Sequence, residues 1–140
     1  MKPLNLHGHP HAEYSFVDPS TGAEGWLVID SLVDGLAFGG CRFHPGVTLS
    51  EVRELARCMT WKLAGHGLPT GGAKAGLALD PNQHGAEDVL TRFVEHMRTP
   101  LLSHAMLGKD MGATDVLLDH LYTTLGVPQM HITRQMHGQN

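Results

Sequence analysis

The stretch GLPTGGAKAGLALDP, Gly67–Pro81, constrains the fold of this chain more than any other. It sets one lysine, Lys74, among four glycines and then runs straight into apolar residues. Glycines let two backbones, or a backbone and a ligand, approach more closely than side chains permit. A lysine drawn into such a place gives up water around its ammonium, which is costly. Either the run makes a tight turn that Lys74 caps from outside, or the lysine is carried inward to do chemistry.

A phosphate loop is the first chemistry to test. A Walker-type loop needs Gly, four residues, then Gly-Lys-Ser/Thr, so that amides and the lysine converge on phosphates. Counting from Gly67 puts the second glycine at Gly72, but Ala73 stands where the lysine belongs, and Ala75 follows Lys74. The GxGxxG dinucleotide fingerprint occurs nowhere in the chain. Both nucleotide readings fail.

Around this run the pattern is that of alternating strands and helices. GWLVIDS (Gly25–Ser31) and LAFGGCRF (Leu36–Phe43) read as neighbouring strands joined through the turn residues VDG, with DPSTG (Asp18–Gly22) marking an earlier reversal. Thr48 with Glu51 three residues on forms a capping box, and it opens a helix that Gly65 closes. Val52, Leu55, Met59 and Leu63 define its apolar face, and Lys62 falls on or beside that stripe. AGLALD (Ala75–Asp80) reads as the next strand. GAEDVLTRFVEHMR then reads as a helix with Val89, Leu90, Phe93, Val94 and Met97 on one face, ended by Pro100. LLSHAML reads as a strand, GKDMG as a loop, and ATDVLLDHLYTTLG as a last helix capped by Gly126. The expectation is a single α/β domain over residues 1–127, a mixed, largely parallel sheet with helices on both faces, followed by a polar tail at 128–140.

Composition removes several functions. With 140 residues, 41% hydrophobic and 17% charged, the chain suits one globular domain. A net charge of −4 gives no footprint for nucleic acid or an acidic membrane. No run spans a bilayer, the N-terminus has no signal-like apolar core, and two cysteines outside any metal spacing fit a reducing cytoplasm. In HGHPH, His7, His9 and His11 alternate, but Pro10 interrupts them and no fourth ligand is apparent, so no metal site is assigned.

What remains is acid–base chemistry. Burial and a neighbouring cation together make a lysine a usable general base. If Lys62 and Lys74 converge across AGHGLPTGG, two ammonium groups in one cleft call for an anion such as a carboxylate. The competing reading is that Lys74 caps a turn and Lys62 snorkels to solvent. Asp110, between a strand and a helix, is placed either to exchange protons with a substrate amine or to cap the helix.

GGCRFHP (Gly39–Pro45), MTWKLAGHGLPTGGAKAG (Met59–Gly76) and GKDMGAT (Gly108–Thr114), in this order and spacing, resemble the N-terminal substrate-binding and dimerisation domain of the glutamate/leucine/phenylalanine/valine dehydrogenases. The resemblance runs from about Glu13 to Gly126. It implies a reversible oxidative deamination of an amino acid to a 2-oxo acid and ammonia, with hydride passing to NAD or NADP. Carried over by position, Lys62 would bind the substrate α-carboxylate. Lys74 would activate water and help deprotonate the amine, and Asp110 would shuttle protons at the amino nitrogen. Backbone amides of Gly39, Gly40, Gly71 and Gly72 would shape a pocket that Phe38 and Met59 also line. A homo-oligomer, dimer or higher, is implied as well, and the cysteine usage noted above adds the expectation of a cytoplasmic location.

Three departures qualify the resemblance. Ala75 follows Lys74 where relatives commonly have glycine. Phe38 stands where glutamate-type relatives carry a lysine for the distal carboxylate, which points to an apolar substrate side chain, although RFHP looks glutamate-type. Relatives carry a second, Rossmann-type domain that is not expected within these residues, which alone are expected to hold no cofactor and to be inactive. The alternative is a stand-alone module that binds an amino or oxo acid, or dimerises, without catalysis.

Overall fold

A computed structural model describes residues 8–108 and 115–126 of the chain. Its elements are β1 (Ala12–Val17), β2 (Glu24–Ile29), β3 (Ala37–Phe43), α1 (Leu49–Gly65), β4 (Gly71–Leu77), α2 (Ala86–His96), α3 (Arg98–Ser103), β5 (Ala105–Gly108) and α4 (Asp115–Leu125). They build the expected mixed α/β fold around one sheet of order β1-β2-β4-β3-β5. β1 and β4 each pair antiparallel with β2, whereas β3 runs parallel to both β4 and β5.

Strand alternation explains the three layers. On β2, Leu27 and Ile29 enter the larger core beneath α2 and α4, while Trp26 and Val28 join Val47, Val52 and Ala56 under α1. Val89, Leu90, Phe93 and Val94 of α2, with Met97 after it, are buried in the larger core, the face the sequence pattern assigned. Asp18 is fixed below the β1–β2 turn by Arg92 of α2 (Nε to Oδ1, 2.6 Å) and by Thr21 (Oγ1 to Oδ2, 2.7 Å).

Four local expectations need correction. β2 and β3 are not paired strands: in the segment between them an isolated Val33–Leu36 bridge closes a tight turn with positive φ at Asp34 and Gly35. β4 is inserted between them, because β2 is buried on both faces and needs a partner along each edge. β4 begins at Gly71 rather than Ala75, so the paired glycines lie in a strand and not in a loop. Pro100 does not stop a helix but sits in the first turn of α3, where its missing N–H is no loss. Leu101 and Leu102 consequently belong to that helix and not to a strand.

α1 starts as expected, with Thr48 Oγ1 accepting from the Glu51 N–H at 3.2 Å. The Glu51 carboxylate does not close the box; it takes Arg42 of β3 at 2.7 Å. The buried stripe of α1 is Val52, Ala56, Thr60 and Leu63, with Leu55 and Met59 only half-buried at its side.

Candidate active site

β4 carries the lysine of the opening stretch in mid-strand. Ala73, Ala75 and Leu77 point into the larger core, so Gly72, Lys74 and Gly76 form the face beneath α1. Lys74 is 6% exposed and stands opposite Val28 of β2. The turn-capping reading therefore does not apply to it.

The glycines beside it are there for packing. A Cβ on Gly72 would meet Thr60 N at 2.2 Å and Ala56 O at 2.6 Å, so α1 rests directly on the strand. A Cβ on Gly71 would meet Ser31 O at 2.1 Å, and one on Gly39 would meet Ala73 O at 1.6 Å. The Gly71 N–H donates to Leu36 O and the Gly72 N–H to Ser31 Oγ, at 2.9 and 3.1 Å. Both amides are thus bonded within the protein.

The other expected residues are placed as follows. Lys62 lies in the last turn of α1 but is exposed, not on the buried stripe. The stripe is set by which residues fit over the β4 glycines, and that turns Lys62 outward. Phe38 is half-buried on β3, beside Gly72 and Met106, and its ring Cζ lies 3.2 Å from where a Gly108 Cβ would stand. The ring therefore reaches over the end of β5. Gly40 is buried next to Gly108. Asp110 lies outside the described residues, two positions beyond the last residue of β5. His7 and the tail beyond Gly126 also lie outside them.

Sequence reasoning missed a polar cluster at the Gly72 end of β4. Thr60 Oγ1 lies 2.6 Å from Asp30 Oδ2 and 2.8 Å from Ser31 Oγ, and Ser31 Oγ accepts from Gly72. Arg57 Nε approaches Asp30 Oδ1 at 3.4 Å. The available signal was IDS, a polar pair closing the most apolar strand of the chain. A cleft of about 680 Å³ shares Asp30 and Arg57 with this cluster and is lined also by His9, His11 and Arg53 among others, and none of the expected site residues lines it. Among the described residues, no group of three His, Cys, Asp or Glu side chains is placed to hold a metal ion, and no helix is long and apolar enough to cross a membrane.

The family model "Glu/Leu/Phe/Val dehydrogenase, dimerisation domain" matches residues 12–124. The chain belongs to this family. Glutamate dehydrogenase of Thermotoga maritima is 49% identical over 59 residues, covering 42% of this chain and 14% of that protein. Among solved structures, the leucine-bound hetero-hexameric glutamate dehydrogenase of Thermus thermophilus superposes with a TM-score of 0.75 at 30% identity, over 89% of this chain and 32% of that one. Glutamate dehydrogenase of Peptoniphilus asaccharolyticus gives 0.77 at 24% identity, over 96% of this chain and 35% of that one, which speaks for the fold. The match thus covers about a seventh of the Thermotoga protein, and the chain spans about a third of the two solved structures.

Proposed function

We propose that these residues form the substrate-binding half of an amino-acid dehydrogenase that deaminates an L-amino acid with an apolar side chain. The observation that carries the reading is Lys74, buried in mid-strand between two glycines on the face under α1. A lysine is seldom buried without a task, because its ammonium must be desolvated. Lys74 is assigned the proton transfers at the attacking water and the substrate amine, and Asp110 a second proton exchange at the amino nitrogen. Lys62, exposed at the end of α1, is assigned to the α-carboxylate. Phe38, with Met59 and the backbone at Gly39 and Gly40, is assigned to the substrate side chain. A phenyl ring gains nothing from a distal carboxylate, so Phe38 favours branched or aromatic side chains even though the relatives named above are glutamate dehydrogenases.

The family reaction passes hydride to NAD or NADP, but the described residues do not fit a dinucleotide. The β4 glycines are pressed against Thr60, Val47 and Val52 and leave no phosphate cradle. On this reading the cofactor seat lies outside these residues, and the roles above concern substrate alone. Self-association through this domain is part of the same reading.

Calorimetry with 2-oxoisocaproate and 2-oxoglutarate tests it. The isolated 140-residue chain is expected to bind the first more tightly, and Lys62→Ala to weaken that binding about tenfold, the loss of roughly 1.4 kcal/mol. Tighter binding of 2-oxoglutarate overturns the apolar preference. Steady reduction of NAD or NADP by the same chain overturns the placement of the cofactor. Unchanged binding of 2-oxoisocaproate in both Lys62→Ala and Lys74→Ala would favour a module that binds without these two lysines.

A further inference from the structure

On the α1-facing side of β4, formed by Gly72, Lys74 and Gly76, α1 closes onto the two glycines. Gly72 and Gly76 present no side chains, and apolar ridges of α1 over such a groove do not by themselves fix how far the helix lies along the strand. Yet both lysines of the proposed site depend on that register, since Lys62 rides on α1 and Lys74 on β4.

The polar cluster at Gly72 supplies the missing definition, and the direction of its hydrogen bonds can be worked out. Thr60 Oγ1 owns one proton, and three acceptors compete for it: Ala56 O at 3.4 Å, Ser31 Oγ at 2.8 Å and Asp30 Oδ2 at 2.6 Å. The shortest contact, within the range of a bond to a carboxylate, takes it. Ser31 must then donate to Thr60 Oγ1 across 2.8 Å, which leaves the Ser31 oxygen to accept from the Gly72 N–H. The result is a one-way chain, Gly72 N–H to Ser31, Ser31 to Thr60, Thr60 to Asp30. Each link is satisfied, Thr60 is 3% exposed, and the Asp30 side chain is 5% exposed with Arg57 on its other oxygen.

The geometry points to Thr60, with Ser31 and Asp30, as a positioning relay that sets the register of α1 on β4 and so the placement of Lys62 relative to Lys74. This rests on the roles given to those two lysines above. The spacing suits the task. Thr60 precedes Lys62 by two residues, about 3 Å of helix, and Gly72 precedes Lys74 by two, about 7 Å of strand. Satisfied buried polar groups are suited to fixing register where apolar contacts leave it open.

Thr60→Val keeps the shape of the side chain and removes the hydroxyl; Thr60→Ser restores it. The readouts are the dissociation constant for 2-oxoisocaproate and the NMR signals of the Lys62 and Lys74 Nζ groups in the isotopically labelled chain. Thr60→Val is expected to weaken binding about tenfold and to shift the Lys74 signal, while Thr60→Ser stays within about twofold of the parent. A Thr60→Val protein that melts earlier, yet keeps both its affinity and its Lys74 signal, overturns the proposal and leaves the cluster a mere stabiliser. If Thr60→Val does not fold, Ser31→Ala, which cuts the first two links and spares Thr60 to Asp30, is read in the same way. If the parent chain binds no 2-oxo acid, the substrate reading fails by itself, and the relay is judged on the Lys74 signal alone.

Discussion

Replacing Gly72 by alanine is the sharpest test of how α1 sits on the sheet. The added methyl group would stand 2.2 Å from Thr60 N, 2.4 Å from Thr60 Oγ1 and 2.6 Å from Ala56 O, at least 1 Å short of an ordinary contact on the nearest atom. Two of these three atoms are backbone, so no rotamer change relieves the clash and the helix itself must lift. Overpacking of a core costs about 1–3 kcal/mol, and obstruction by backbone belongs at the upper end. The Gly72 N–H bond to Ser31 is strained as well, which adds about 1 kcal/mol. For a domain of this size roughly 3–6 °C of melting temperature follows each kcal/mol, so Gly72→Ala should lower the transition by about 10 °C or more. The matched control is Gly65→Ala at the end of α1, where a new methyl group meets nothing within 4 Å. Removing a helical glycine there should be neutral or stabilising by up to about 1 kcal/mol. Thermal and urea melts followed by circular dichroism compare the two. A Gly72→Ala protein melting within about 2 °C of the parent would show that α1 does not rest on bare backbone, and the reasoning about its register would fall with it.

Acid should loosen the β1–β2 turn in a defined window. The Arg92 guanidinium beside Asp18, helped by Thr21, holds this carboxyl at about 2 against an ordinary 3.8. A depressed value means that the pair stabilises the fold above the ordinary value and loses that contribution as pH falls toward 2. Asp18→Asn should therefore melt earlier at pH 6 and lose less between pH 4 and 2; parallel curves for parent and variant would refute the pairing. Tyr122 of α4 accepts from the Leu107 N–H at 2.9 Å and donates back to the Leu107 carbonyl, covering the outer edge of β5. Tyr122→Phe leaves both groups buried without that partner and should cost about 1–3 kcal/mol in urea melts, with no loss contradicting the contact. Phe38→Lys should move the oxo-acid preference at least tenfold toward 2-oxoglutarate in calorimetry, and an unchanged ratio would remove Phe38 from the specificity pocket.

Much of this architecture was legible in the chain because it rests on side-chain chemistry that sequence displays openly. The Thr48 cap, the apolar face of α2 and the reversal before β2 each follow from residues that act locally. β4 was only half legible, since GGAKAGL has little strand propensity of its own and is held as a strand by β2 and β3 on either edge. That insertion also broke the expected pairing of β2 with β3, a long-range outcome no local pattern carries. The error on α1 is more instructive for the site. Hydrophobic periodicity favoured Leu55 and Met59 for burial, because it ranks residues by apolarity. A helix seated on glycines instead selects what is small enough for the contact, and Ala56 and Thr60 are buried where larger neighbours remain at the side. The same selection brings a hydroxyl to the Gly72 amide through Ser31 and turns Lys62 to solvent. Gly72, the second glycine of the pair that first suggested a ligand-binding loop, thus acts one step earlier: by admitting α1 so closely, it brings Thr60 within reach of the cluster proposed to set where the two lysines stand.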